Sequence, residues 1–445
     1  MDGLYAEAER LGLNAAAGSA QAAQRGRAVA RMLGYGAGED GKERDMTHRY
    51  RFYVFRLEIM AEYSFAANAV YAANGARVGL LYGPGGSTGD GKPDGVWRRV
   101  EPDDVPERKR RQTGRAAVRL LYLCGLDFGM IDMGMSADGP PTLLRLEPFP
   151  KLDARLTATF AESLKLFRDG EHAAETDPLT APVALLGADP EFLLMNADGQ
   201  VMPASAFLPR EGQAGCDRVR IGGRVLYPLA ELRPQPSADP RRLVSNVRRT
   251  LLTAAELIPD TPGARWLAGG MPAKGFALGG HIHISRTALN VPLLKALDNY
   301  LALPLLLIED ERSKARRPRY GMPGDFRRQP HGGFEYRTLP SWLVSPRVAK
   351  GVLALTALIA RHYRELGDKP LDRPDVLRHY LAGDKKELRP VALALLGQIR
   401  ELPDYAEFAG MTEPLLTMIE KGECWDEGKD FRRAWQIGTP AGAAR

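Results

Sequence analysis

The stretch "GADPEFLLMNADG", Gly187 to Gly199, sets two carboxylates, Asp189 and Glu191, two positions apart in an apolar run. Residues two apart on a β-strand share a face. Asp189 and Glu191 then point one way, and Phe192 and Leu194 the other. Like charges side by side repel and resist burial. Something positive must face them, either a divalent cation or a pair of arginines. Three more clusters have the same spacing: Glu231 and Arg233 in "AELRP", His281 and His283 in "GGHIHIS", and Glu335 and Arg337 in "FEYRTLPSW". Each alone has a structural explanation. A strand Glu-x-Arg is ordinarily a cross-strand ion pair, and a His-x-His commonly contains one structural histidine. Their recurrence carries the weight, because acids and imidazoles on one face of successive strands converge when the sheet forms. Oxygen ligands with one or two imidazoles suit Mg²⁺ or Mn²⁺ better than a structural zinc site.

Between the last two clusters lies "ERSKARRPRYGMPGDFRR", with Arg312, Arg316, Arg317, Arg319, Arg327 and Arg328. A charge run is usually a solvated loop. Planar guanidinium groups also bind phosphate in bidentate fashion, so beside a carboxylate–metal site they point to a nucleoside triphosphate. Two other motifs fail. "GSTGDGKP" from Gly86 has the look of a phosphate loop, but Pro93 stands where Ser or Thr must bind Mg²⁺. It is expected to be a surface loop, within the larger loop Gly83 to Gly95. "ERKRRQTGR", Glu107 to Arg115, lacks interleaved aromatic residues and reads as a solvated helix face rather than a nucleic-acid patch.

The elements that must position these residues follow from period and punctuation. "NADG" closes a hairpin after the first acidic strand. Asp239–Pro240 is a helix start, with Leu243, Val247, Leu251, Ala254 and Ile258 on one face. "GFALGGHIHIS" and "GGFEYRTLPSW" read as strands. "VPLLKALDNYLALPLLLIEDERSKARR" reads as one helix kinked near Pro304, and the chain beyond Ser345 as mostly helical. In the first half, helical periodicity covers Ala22–Leu33. His48 to Tyr63 reads as one or two strands, "VPERKRRQTGRAAVRLLYLCGL" as a helix, and Phe128–Met135 and Thr142–Glu147 as strands. "LDARLTATFAESLKLF" is a further helix, and Arg168 to Pro182 a linker. The division falls at residue 176, giving domains 1–176 and 177–445. Strands bearing acids and histidines between long helices predict an α+β domain with its site on a sheet face.

The 445 residues suffice for two or three domains, and 44% apolar with 26% charged residues is ordinary for a globular chain. Lys and Arg number 61 against 55 acids. That slight excess is too little to argue for nucleic acid as a partner, which is not expected, and it fits anionic substrates equally well. Three scattered cysteines, the absence of an apolar run of membrane-spanning length and the absence of a signal-peptide core predict a cytoplasmic protein off the membrane.

The motif order (acidic strand, Glu strand, Gly-Gly-His-x-His, arginine loop with "YG…GDFR", Glu-x-Arg strand) resembles the glutamine-synthetase-like carboxylate–amine ligases. Within them, "GADPEF", "AELRPQP", "GGHIHIS" and "EYRTLPSW" are most similar to the type 2 COOH–NH2 ligases, or amidoligases, over residues 183–345. The resemblance implies an antiparallel, carboxylate-lined sheet with helices that holds Mg²⁺ around the phosphates of ATP, with Mn²⁺ as a substitute. It makes Asp189, Glu191, Glu231, His281 and Glu335 metal ligands. It makes Arg312, Arg316, Arg319, Arg327 and Arg337 phosphate contacts, and sets Glu191, Glu335, Arg337 and His283 at the chemistry. Asp189 departs from the glutamate of better-known relatives. The implied reaction joins a small-molecule or peptide carboxylate to an amine through an acyl phosphate. A nearby carboxylate or His283 removes the ammonium proton. Shared active sites are common in the superfamily, so homo-oligomers fit. In the first half, "GLDFGMIDMGM" and "LLRLEPFP" resemble the C-terminal part of an ATP-grasp domain. Asp132 matches its metal ligand, but Arg145 stands at the Glu position and Glu147 at the Asn position. That half is expected to be a partial, degenerate ATP-grasp-like α+β domain. The competing readings are a metal-dependent hydrolase built on His281 and His283, against which the arginine loop speaks, and a non-catalytic scaffold, in which the clustered acids would have been lost.

Overall fold

A computed structural model describes residues 2–14, 19–38, 46–67, 95–100, 108–176, 183–221, 224–330 and 332–438. The chain divides into two compact units, Met1–Leu179 and Thr180–Arg445. Both are mixed α+β. The Gly86 motif lies outside the described residues, as does the loop from Gly83 except for Gly95.

The first unit holds six strands: β1 (Gly36–Ala37), β2 (His48–Phe55), β3 (Glu58–Ala67), β4 (Gly95–Arg99), β5 (Phe128–Met135) and β6 (Thr142–Glu147). They pair in the order β1-β6-β5-β2-β3-β4, antiparallel except for β1 on β6. Alternation in "HRYRFYVF" sends Phe52 toward helix Arg108–Leu123. Gly114 lets the helix pack closely there, since a Cβ would lie 3.3 Å from the Phe52 ring and 3.1 Å from Ile59, tighter than carbons ordinarily pack. Tyr53, Phe55 and Phe128 pack on the other face against Tyr5, Leu156 and Phe160. The ring centroids of Phe128 and Phe160 are 5.0 Å apart. Helix Ala154–Thr176 runs through the first part of the expected linker, because its alanines and glutamates favour continuation. Residues 177–182 of that linker lie outside the described residues.

The second unit carries β7 (Leu185–Met195), β8 (Val201–Met202), β9 (Ala214–Ile221), β10 (Arg224–Leu232), β11 (Arg265–Leu267), β12 (Gly280–Ser285), β13 (Phe326–Arg328) and β14 (Phe334–Tyr336). The order is β13-β14-β12-β7-β10-β9, with β8 and β11 also on β7, all antiparallel. Pro190 sits mid-strand without an N–H. The ladder tolerates it because the Gly280 carbonyl opposite accepts from Trp342 Nε1 at 2.9 Å, and Glu191 N–H donates to the Gly279 carbonyl at 2.9 Å. "NADG" is the β7–β8 turn, with Gly199 at φ +76°. Asp239 caps helix Pro240–Leu257 by accepting from Arg241 N–H. Its Leu243, Val247 and Leu251 are fully buried, each stabilising by about 1.5–3 kcal/mol.

The single helix expected from Val291 to Arg317, kinked near Pro304, is instead four pieces: Val291–Leu297, a π-helical turn Asp298–Ala302, Leu303–Leu306 and, after a turn, a 3-10 helix Glu311–Arg316. Pro304 cannot donate to Tyr300, and the widened turn just before it closes with Leu303 N–H on the Asp298 carbonyl. The two expected strands also shrink to Gly280–Ser285 and Phe334–Tyr336. Beyond Ser345, which caps helix Pro346–His362, the chain is helical through Tyr405–Lys421 and a short turn at Arg432–Trp435.

Candidate active site

Register brings the acids and imidazoles together. Asp189 of β7 lies opposite His281 of β12, and His283 lies opposite Gly187 on one side and Glu335 of β14 on the other. Glu191 lies opposite Glu231 of β10. Ile282, Ile284, Phe334, Tyr336 and Phe192 occupy the reverse face and are fully buried. Apolar and polar residues alternate, so burying the one set turns the other to the site. Asp298, first residue of the π-helical turn, accepts from Tyr336 Oη at 2.8 Å and Gly324 N–H at 2.6 Å, and so braces β14 from behind.

The polar face carries two groups whose candidate ligand atoms lie within 4.8 Å of one another: Asp189, His281 and Glu335, and Glu191, Asp217 and Glu231. His281 Nδ1 is 3.2 Å from both Asp189 Oδ1 and Glu335 Oε1, and His283 Nε2 is 3.1 Å from Asp189 Oδ2. These separations suit ion pairs, yet Asp189 Oδ1, His281 Nδ1 and His283 Nε2 are buried without a hydrogen-bond partner. The distances alone would say paired. The contacts nevertheless leave these three buried polar atoms without a hydrogen bond, which a cation among them would remedy. The donor set, carboxylate oxygens with imidazole, fits a hard divalent cation.

The electrostatics point the same way. Burial, together with the charges of Asp217 and Asp189, pushes the Glu191 carboxyl up to about 7. Burial beside Asp189 pushes Glu231 up to about 8 despite Arg233. At Asp189 burial is outweighed by the two imidazoles, which hold its carboxyl well below the usual range. His281 is desolvated, but Asp189 and Glu191 raise it. Two adjacent carboxyls that struggle to ionise mark a place where positive charge is wanted.

Backbone glycines make the approach. Gly279 N–H donates to Glu191 Oε2 at 2.6 Å. A Cβ on Gly279 would lie 2.4 Å from His281 Nε2, and one on Gly280 2.3 Å from the Pro340 carbonyl. Hence the Gly-Gly before His-x-His.

The arginines separate into two kinds. Arg337 Nη1 donates to Glu335 Oε1 at 2.7 Å, and Arg327 Nε to Oε2 at 2.6 Å. Arg233 holds Glu231. By contrast, Arg316 is buried and donates to the Thr338 and Leu339 carbonyls, both at 2.8 Å. Arg317 pairs with buried Glu309 at 2.9 Å. Arg312 reaches Asp426 at 3.2 Å, and Arg319 lies exposed over Tyr320. Of the five arginines expected at phosphate, Arg327 and Arg337 touch the acidic face, whereas Arg312, Arg316 and Arg319 have these other neighbours. Sequence reasoning missed Asp217 and Gln329, whose Nε2 lies 3.2 Å from Glu335 Oε2. Alternation in "AGCDRVRI", a hairpin partner of the Glu231 strand, was the available signal for Asp217.

In the first unit, Asp132 accepts two hydrogen bonds from Arg51, at 2.7 and 2.8 Å, and Glu147 pairs with Arg145 at 2.8 Å.

The second unit is thus an antiparallel sheet with one face given to two cation-competent groups and their arginines. The family model described as phage phiEco32-like COOH.NH2 ligase-type 2 matches residues 186–437, and the chain belongs to that family, which places it among carboxylate–amine ligases. Residues 1–185 lie outside the match. Among solved structures, the chain is similar to a bifunctional glutathione synthetase from Pasteurella multocida, at 12% identity and a TM-score of 0.37. The likeness covers 60% of this chain and about half, 54%, of that one. No curated protein matches the chain. Among the described residues, no helix is long and apolar enough to cross a membrane.

Proposed function

We propose that residues 177–445 are the catalytic domain of an ATP- and Mg²⁺-dependent ligase on a glutamine-synthetase-like sheet, joining a small-molecule or peptide carboxylate to an amine. The observation that carries this reading is the pair of acid-and-imidazole groups on one sheet face, bracketed by Arg233, Arg327 and Arg337. A carboxylate is a poor acyl donor because its leaving group would be oxide. Transfer of the γ-phosphoryl group of ATP to its oxygen makes an acyl phosphate and ADP. The amine then attacks the acyl carbon, and phosphate leaves.

Asp189, His281 and Glu335 would hold one divalent cation and Glu191, Asp217 and Glu231 another. The cations supply charge neutralisation for the phosphoryl group in transit. Arg327 and Arg337 orient and neutralise the phosphates, and Arg233 does the same from the β10 side. The attacking ammonium gives its proton to a carboxylate of the face or to His283. A hydrolase built on His281 and His283 has no use for three arginines on the acids, and the acids themselves oppose a mere scaffold. Domain 1–176 serves substrate recognition or assembly, because both of its ATP-grasp-like acids are already engaged by Arg51 and Arg145. The test is ADP release across pools of carboxylates and amines, with mass spectrometry of products. An amide that appears only with ATP and Mg²⁺ supports the reading. Absence of ADP release with every pair, or a hydrolysed product without ATP, overturns it.

A further inference from the structure

The two Glu-x-Arg motifs are each closed on themselves: Arg233 on Glu231, and Arg337 on Glu335 with Arg327 on the second oxygen. Glu335 Oε1, the oxygen 3.2 Å from His281 Nδ1, is the one Arg337 engages. A guanidinium therefore stands at an atom that a divalent cation needs, while Asp189 Oδ1 and His281 Nδ1 beside it have no hydrogen-bond partner. The stems of these arginines are partly in solvent, with side-chain exposures of 37% for Arg233, 58% for Arg327 and 30% for Arg337, whereas the Glu335 side chain has none. Arg316 and Arg317 of the same basic loop are buried and fixed.

Resting on the ligase reading, we propose that Arg233, Arg327 and Arg337 are exchangeable counter-cations. They neutralise the acidic face until a cation and a polyphosphate enter together. The carboxylates then pass to the cation and the guanidiniums pass to phosphate. The fork geometry of arginine serves carboxylate and phosphate alike, so the transfer exchanges one charge-assisted hydrogen-bond pair for another. A cation arriving alone has to displace a guanidinium, or sit beside it and be repelled. A nucleotide arriving alone would draw the arginines away and leave the acids uncompensated. Each ligand thus favours the other, and by linkage the factor is the same in both directions.

The test is binding of Mn²⁺ to the full chain, followed by its paramagnetic signal, and binding of a fluorescent ADP with and without Mn²⁺. The wild type should bind Mn²⁺ alone weakly, and Mn²⁺ should tighten ADP binding by about tenfold or more. Arg327→Ala/Arg337→Ala should bind Mn²⁺ alone several-fold more tightly than wild type and lose most of the Mn²⁺ effect on ADP. Arg337→Lys, which keeps the charge, should stay near wild type for Mn²⁺ alone. Arg233→Ala repeats the trial at the other group, should the double variant not fold. A simple phosphate contact predicts no gain in metal affinity, so unchanged or weaker Mn²⁺ binding by folded variants overturns the exchange alone. Failure of the wild type to bind Mn²⁺, with or without ADP, overturns the ligase reading as well.

Discussion

Asp132 in the first unit and Glu191 in the second are both buried acids on central strands, and they meet opposite fates. Asp132 receives a bidentate guanidinium from its cross-strand neighbour Arg51, and Glu147 is matched by Arg145. Each acid there has its own cation. On the second sheet, Asp189, Glu191, Asp217, Glu231 and Glu335 share Arg233, Arg327 and Arg337, two of which lie on the same glutamate. Among the described residues, no arginine pairs with Asp189, Glu191 or Asp217. A balanced acid is finished as a structural contact. An unbalanced set of acids is strained electrostatically until something positive arrives, and that is the condition of a binding site.

The largest expected effect tests that contrast directly. Glu191→Ala and Glu335→Ala should each lower substrate-dependent ADP formation by about 10²–10³-fold or more, since transition-state charge loses its counter-ion. Asp132→Ala should leave that rate within about twofold of wild type. A large loss in Asp132→Ala with little loss in Glu191→Ala would reverse the roles of the two units.

Next in size is a pH effect. A carboxyl raised above its ordinary value binds its proton more tightly in the fold than in the unfolded chain. Its contribution to stability is complete below the ordinary carboxylate range. It disappears as pH climbs through about 7 for Glu191 and about 8 for Glu231. The metal-free protein should therefore lose stability over that window. A divalent cation takes the place of the protons, so the rise in melting temperature on adding Mg²⁺ should grow across it. A Mg²⁺ effect independent of pH would mean that these two carboxyls are not its ligands.

Much of this face was legible because strand alternation is local. Two-residue spacing in "ADPEF", "GGHIHIS" and "FEYRTLPSW" puts each pair on one side whatever the fold. Asp217 needed a non-local fact, the hairpin register that turns "AGCDRVRI" back along the Glu231 strand. The arginine loop was the hardest to read. Charge alone does not separate Arg327, which reaches Glu335, from Arg316, which turns inward to two backbone carbonyls. The π-helical turn before Pro304 was also hidden, because proline announces a disruption without saying how the chain absorbs it.

Arg316 and Arg337 sharpen the comparison within the second unit. Arg316→Ala should cost about 1–3 kcal/mol, because the buried Thr338 carbonyl loses its donor, while the Leu339 carbonyl keeps only Gly280 N–H. Arg337→Glu should instead depress turnover far more than stability, since its side chain is partly exposed and its partner belongs to the acidic face. Chemical denaturation beside steady-state kinetics separates the two. Normal kinetics in Arg337→Glu would reduce that arginine to an ordinary ion-pair partner.

The smallest expected effect belongs to Arg145. Its side chain is 57% exposed and that of Glu147 is 29% exposed. A pair so open to water gains little, because screening and the entropy of two long side chains offset the attraction. Arg145→Ala should therefore change stability by less than about 1 kcal/mol. If Arg145 were what prevents a cation from binding Asp132 and Glu147, its removal would expose a latent site. Two features argue that it would not. Arg51 still holds both oxygens of Asp132. Trp97 lies 4.4 Å from the Arg51 guanidinium and helps to hold it there. Mn²⁺ titration of Arg145→Ala should consequently match wild type in the number of ions bound. An additional ion in that variant would show that the first unit keeps a cation site masked by one exposed arginine. The contrast between balanced and unbalanced acids would then be one of degree.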